Sequence, residues 1–165
     1  MRKHLFTSAL LILASSLAHA EDTSTSLNTT VVTATRVEQN SFDVPASIDV
    51  TDREVIQDGQ GKMNLSETAM RIPGVVVNNR NNAAQDLAIQ IRGFGARSSF
   101  GVRGVRLYAD GIPMTMPDGQ GQTGTFNLDT ASRIEYLKGP FSAMYGNSSG
   151  GVVQIFTEDG PNARS

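Results

Sequence analysis

The sequence predicts an α+β domain: a small mixed β-sheet with short helices and long loops. Three observations predict it. Apolar residues alternate with polar or small ones at Leu87, Ile89 and Ile91 and again at Val105, Leu107 and Ala109, the two-residue period of half-buried strands. Only two short windows carry the punctuation of helix ends. Twelve of the 16 glycines lie between Gly93 and Gly151, which divides that half of the chain into strands joined by oversized loops. No segment recurs at the period of a solenoid or propeller.

The first 20 residues read as a segment apart. Arg2 and Lys3 precede an apolar run from Leu5 to Ala14, and Ala18-His19-Ala20 places small residues where a signal peptidase cuts. The run is broken by Ser8, Ser15 and Ser16 and is shorter than the ~20 residues that span a bilayer, so a cleaved secretory signal over residues 1–20 is expected rather than an anchor. Its removal takes His4 and His19, the only histidines, from a chain that has no cysteine. Nucleophilic chemistry that needs imidazole or thiol, His- or Cys-ligated metals and disulfides are thereby excluded, and neither a catalytic residue nor a cofactor or metal site is expected. The same removal takes two of the 14 basic residues and none of the 16 acidic ones, leaving a net charge of −4. An acidic balance without a basic block argues against nucleic acid as a partner.

Residues 21–46 are rich in Ser, Thr, Asn and acidic side chains and read as a disordered tail. One patch interrupts it. Thr30-Val31-Val32-Thr33-Ala34 has four consecutive β-branched residues, poor for helix and good for an extended strand. With no neighbour evident in its own domain, such a strand is a candidate for pairing with another protein's sheet edge. After Pro45, Ile48 and Val50 and then Val55-Ile56 begin a core-like alternation, so the domain is assigned to residues 47–158, with 159–165 the truncated start of a link.

Asn64 followed by Glu67 has the spacing of a capping box opening a short helix through Leu65, Ala69 and Met70, stopped by Pro73-Gly74. Val75-Val76-Val77 reads as a buried strand, and the Asn-rich stretch 78–82 around Arg80 as a polar loop. Two glycine-rich loops follow, one through residues 94–101 and one through residues 113–122. Asp110-Gly111 between them is a tight-turn signal. Ile134, Tyr136 and Leu137 make a further short strand, Gly139-Pro140 opens a helical turn closed by Gly146, and residues 152–156 are strand again. Two motif matches fail on context. Gly146-Asn147-Ser148-Ser149-Gly150 fits a nucleophile elbow but precedes a strand and has no histidine, and Gly93-Phe94-Gly95 has Ser98 where a dinucleotide loop needs its third glycine.

The ordered set of residues 30–34, Ile72-Pro73-Gly74-Val75, Ile91-Arg92-Gly93-Phe94, Leu107-Tyr108-Ala109-Asp110-Gly111, Ile134-Glu135-Tyr136-Leu137-Lys138-Gly139-Pro140, Tyr145-Gly146 and Gly150-Gly151-Val152 resembles the plug domain of TonB-dependent outer-membrane receptors. The resemblance covers residues 29–157 and implies a plug that sits inside an outer-membrane β-barrel, itself missing from this sequence. It implies that Thr30, Val31, Val32, Thr33 and Ala34 form a TonB box that pairs with the C-terminal domain of TonB, and that Arg92, Glu135 and Lys138 lock the plug to the barrel wall. Lys138 stands where the family has an Arg, and it lacks the planar fork for bidentate carboxylate pairing. Apical loops carrying Arg80, Arg97, Phe100, Arg103, Met116, Asp118 and Gln120 would touch a small ligand such as a ferric siderophore.

These implications place the protein on the periplasmic side of a Gram-negative outer membrane as the gating and recognition module for a scarce nutrient, not as an enzyme. The other reading is a stand-alone periplasmic binding or decoy protein, or an inactive remnant.

Overall fold

The computed structural model describes residues 31–33, 36–58, 60–78, 86–98 and 101–160. The expectations for residues 1–20 and for Thr30, Ala34, Arg80 and Phe100 lie outside the described residues.

The centre is a mixed five-stranded sheet. In spatial order it contains β3 (Ser47–Asp52), β10 (Ala131–Lys138), β11 (Gly151–Thr157), β7 (Val105–Ala109) and β8 (Ile112–Pro113). β10 pairs antiparallel with β3 and β11, whereas β11 runs parallel to β7. β7 turns into β8 through Asp110 (φ 48) and Gly111 (φ 79), with Ala109 opposite Ile112. Two successive left-handed residues make the two-residue hairpin turn that the Asp-Gly pair signals. Around this sheet lie three two-stranded ribbons: β1 (Val31–Val32) with β2 (Gln39–Asn40), β4 (Val75–Asn78) with β5 (Ala88–Ile91), and β6 (Val102–Arg103) with β9 (Gln120–Gly121).

Alternation along the central strands gives the sheet two unlike faces. Ile134 and Tyr136 on β10, Val153 and Ile155 on β11 and Leu107 on β7 point into the main core, where Ile56, Leu65, Ile89 and Ile91 cover them. The opposite face carries Leu137, Val152 and Tyr108, partly covered by Tyr145 and Phe141 from α3 (Ser142–Tyr145) and its approach. On that second face the paired residues Glu135, Gln154 and Tyr108 lie side by side across three strands.

Several local expectations hold and others are corrected. Helix α2 (Ser66–Ala69) starts where Asn64 Oδ1 accepts the Ser66 N–H at 3.0 Å. Glu67 does not reach back to Asn64; its carboxylate accepts the N–H groups of Lys62 and Met63 at 2.9 and 3.1 Å, capping the turn before the helix instead. The alternation begun at Ile48 and Val50 stops at Asp52, and Val55-Ile56 lie on helix α1 (Arg53–Gln57), which buries Ile56. Val75-Val76-Val77 is a strand, but not a wholly buried one: Val75 is buried and Val76 exposed, because the β4–β5 ribbon has one face in the core and one in solvent. The strand at residues 134–137 is longer than expected, running all eight residues of β10. The loop at residues 113–122 is pinned, since it begins in β8 at Pro113 and takes in all of β9, and the Met116 N–H donates to Gln120 O across it at 2.8 Å. The tail is corrected as well: Val31–Val32 has a neighbour in its own chain, β2, and Val32 and Val44 are buried.

Glycine is required where β11 begins. Gly151 has φ +146, and a Cβ there would lie 2.2 Å from the main-chain oxygen of Leu137 on β10. At Gly111 a Cβ would meet nothing within 4 Å. Gly111→Ala is therefore expected to cost about 1–2 kcal/mol of left-handed strain alone. Gly151→Ala also forces β10 and β11 apart, for more than about 3 kcal/mol. Urea unfolding midpoints of the two variants give the comparison, and equal losses would contradict the close approach.

Candidate functional site

The tail ribbon, the β10 charges and the loop arginines occupy different parts of the domain. The ribbon lies against the second sheet face. Thr33 donates its main-chain N–H to both carboxylate oxygens of Glu135, at 3.2 and 3.1 Å, and its hydroxyl approaches the same two oxygens at 3.3 and 3.2 Å. Glu135 has no exposed surface and pairs with Arg133 Nε at 3.0 Å. The Arg133 guanidinium stacks 4.0 Å from the centre of the Phe156 ring. Arg36 closes the turn after Thr33: its N–H donates to Thr33 O at 2.8 Å, its Nη2 donates to Met144 O at 3.1 Å, and its guanidinium lies 5.2 Å from the Tyr145 ring centre.

A cavity of about 370 Å³ opens beside this contact, walled by Thr33, Arg36, Tyr108, Asp110, Tyr145 and Gln154. Gln154 Nε2 donates to the Tyr145 hydroxyl at 3.0 Å. A neighbouring polar hollow takes Glu38, Arg133 and Asp159 into its wall.

The three residues expected to lock a barrel are placed differently from one another. Glu135 and Lys138 are three residues apart on one strand and so point to opposite faces. Lys138 is buried on the main-core side, where its ammonium pairs with Asp49 and donates to Pro73 O at 3.2 Å. Arg92 is exposed, with its Nη2 donating to Ser47 Oγ at 3.0 Å. It sits at φ 50 beside Gly93 at φ 84, in a two-residue turn where Ile91 and Phe94 exchange main-chain bonds. A non-glycine residue held there is mildly strained, and its N–H bond to Gly74 O at 2.8 Å helps to hold it.

Of the loop residues, Arg97 and Arg103 wall one open cavity of about 480 Å³ with Phe94 and Ser98. Gln120 lies opposite Arg103 in the β6–β9 ribbon, and Asp118 Oδ1 accepts its N–H at 3.0 Å. Met116 projects into solvent. Arg106 was not singled out from the sequence, where it is one polar position in an alternating strand. In the structure it joins the loop to the tail side: Nη1 donates to Thr115 Oγ1 at 2.9 Å and Nε to Tyr145 O at 3.1 Å.

Among the described residues no group of three or more Asp, Glu or His side chains is placed to hold a metal ion, and no helix is long and apolar enough to cross a membrane. Burial pushes the hydroxyls of Tyr136 and Tyr145 above their ordinary titration at 10.0, with opposing bonds from Thr68 and Gln154 respectively. The neutral hydroxyls therefore stabilise the fold fully below about pH 10, and that contribution is lost as pH rises through the elevated values. Thermal melts are expected to show a falling midpoint above about pH 10. Tyr136→Phe should shallow that fall, and an unchanged slope would contradict it.

Comparison with known proteins gives a consistent picture. The family described as TonB-dependent Receptor Plug Domain matches residues 40–153. The vitamin B12 transporter BtuB of Vibrio vulnificus strain CMCP6 is 30% identical over 160 residues, covering 95% of this chain and 25% of that protein. The ferric yersiniabactin uptake receptor FyuA of Yersinia pestis superposes with a TM-score of 0.55 at 28% identity, over 69% of this chain and 17% of the receptor. The siderophore receptor PirA of Acinetobacter baumannii gives 0.54 at 26% identity, over 70% and 18%. The chain thus spans about a quarter of the length of that curated relative and less of the solved receptors.

Proposed function

This chain belongs to the TonB-dependent receptor plug domain family, and on that footing we propose that it gates an outer-membrane receptor barrel, recognises a small ligand at its outer loops, and is moved by TonB pairing with residues 30–34. One observation carries the reading. The described part of that segment pairs only with the two-residue strand β2 and lies on the five-stranded sheet without being woven into it. It can therefore be withdrawn without breaking a central ladder, as a handle for an external strand must be.

The ligand reading rests on the cavity walled by Arg97 and Arg103. Two guanidinium groups on one open hollow suit a ligand with anionic oxygens, such as the ferric yersiniabactin named for the receptor from Yersinia pestis or the siderophore named for that from Acinetobacter baumannii. Met116, Asp118 and Gln120, with Arg80 and Phe100, complete the proposed contact set. Arg92 is the lock residue open to a barrel wall, and Glu135 and Lys138 support it from inside by fixing β10.

Deleting residues 30–34 from the barrel-containing receptor is expected to abolish energy-dependent uptake while ligand binding to whole cells persists. Uptake that continues after the deletion would remove the TonB box assignment. Arg97→Ala and Arg103→Ala should each weaken ligand binding about tenfold, the scale of one hydrogen bond between charged groups. Equilibrium binding of radiolabelled ligand reads this directly, and wild-type affinity in both variants would contradict the placement of the ligand.

A further inference from the structure

The turn Gly146-Asn147-Ser148-Ser149-Gly150, whose match to a nucleophile elbow fails, joins α3 to β11. It is packed between the two glycine-rich loops. Ser148 has no exposed surface, and its hydroxyl donates to Gly146 O at 3.0 Å. On one side the Gly150 N–H donates to Gly104 O at 2.8 Å, and a Cβ on Gly150 would lie 2.6 Å from Phe94 Cβ. On the other, a Cβ on Gly119 would lie 2.6 Å from Asn147 Nδ2. Approaches this close leave no space for a side chain between turn and loop, so both loops lean on the same five residues.

Arg106 reaches the same place from β7. Its Nε donates to Tyr145 O at 3.1 Å, directly before the turn, and its Nη1 donates to Thr115 Oγ1 at 2.9 Å and approaches Met116 O at 3.4 Å. A planar guanidinium fixes the spacing between these acceptors, which an ammonium on a flexible stem would not. The 113–122 loop is thereby gripped at Thr115 and Met116 by Arg106 and backed at Gly119 by Asn147. Its own bonds are short in range: Met116 N–H to Gln120 O, Gly119 N–H to Met116 O, and Gln120 N–H to Asp118 Oδ1. So small a hairpin does not persist in water by itself.

We propose that Arg106 is a positioning residue: with the 146–150 turn it sets where Met116, Asp118 and Gln120 stand relative to the loop at residues 94–101 before any ligand arrives. That these side chains receive a ligand is the reading given under the proposed function, and the consequence for binding rests on it; the bracket itself does not. A loop already ordered by its own domain leaves less ordering entropy for a ligand to overcome. Arg106 acts through Thr115 and Met116 O, with no contact to the ligand required of it.

Amide hydrogen exchange on the full chain, followed residue by residue by NMR, reads the bracket without a ligand. Thr115→Val keeps the shape of the side chain and removes the hydroxyl that Arg106 grips, whereas Thr115→Ser keeps the hydroxyl. Arg106→Gln and Thr115→Val are each expected to speed exchange at Met116, Gly119 and Gln120 about tenfold, the scale of one hydrogen bond to a charged group. Thr115→Ser is expected to exchange as wild type does, and the amides of β10 and β11 to keep their rates in all three. Unchanged loop exchange in either Arg106→Gln or Thr115→Val would overturn the proposal, as would equal acceleration by Thr115→Val and Thr115→Ser. If Arg106→Gln also loosens β10 and β11, Thr115→Val decides: acceleration confined to the loop supports the proposal, and acceleration throughout the sheet overturns it. Wild-type ligand affinity in Arg97→Ala and Arg103→Ala would instead count against the ligand reading, with the exchange rates still deciding the role of Arg106.

Discussion

A carboxylate with no exposed surface sits on β10, the second of the sheet's five strands in spatial order, and the polar contacts of the second face gather around it. Glu135 neighbours Gln154 and, through it, Tyr108 across the ladder. Gln154 is turned toward the Tyr145 hydroxyl, Arg133 toward the carboxylate itself, and the remaining donors are brought by the tail. The main core on the other face is built mostly from apolar side chains. The polar face cannot close on itself, because its strands supply too few donors for a buried charge. It closes with a segment from outside the sheet, which is why the tail residues 31–33 and 36–46 have defined places.

This division of labour between the faces is what a movable element requires. The five-stranded ladder, with its antiparallel and parallel pairings and the close approach at Gly151, supplies a body that resists deformation. The ribbon β1–β2 contributes nothing to that ladder and is held by side-chain contacts. Elements fastened in that way occupy the low-stability end of a structure and open first. Arg103 is likewise carried on a short ribbon, β6 with β9, that packs against β7 of the central sheet.

Much of the fold could be read from sequence where the determinants are local. The Asp110-Gly111 turn, the alternation of β5 and β7, the stop at Gly146 and the start of α2 at Asn64 each depend on residues within a few positions of one another. The failures have a common cause in tertiary context. Val55-Ile56 looks like strand because it is β-branched and apolar, yet helix α1 forms there since Ile56 must turn back onto β10. Val76 is apolar and exposed because the outer face of the β4–β5 ribbon is open. The tail's composition argues for disorder, but composition cannot register that Thr33 has a partner 102 residues away. For the candidate site, residue types were legible and adjacency was not. Arg97 and Arg103 stood out as charges in glycine-rich loops, while their meeting at one hollow, the inward turn of Lys138 to Asp49 and the bridge made by Arg106 depend on strand register.

The central claim is that residues 31–33 rest on the sheet and leave it when a partner strand takes them. Spin labels on cysteines introduced at Glu38 and Asp159, which border one hollow on the tail side, measure this directly by dipolar spectroscopy on the full chain. The account predicts a short, narrow distance distribution that lengthens and broadens when the TonB C-terminal domain is added. A distribution that stays short and narrow with the domain demonstrably bound would contradict it.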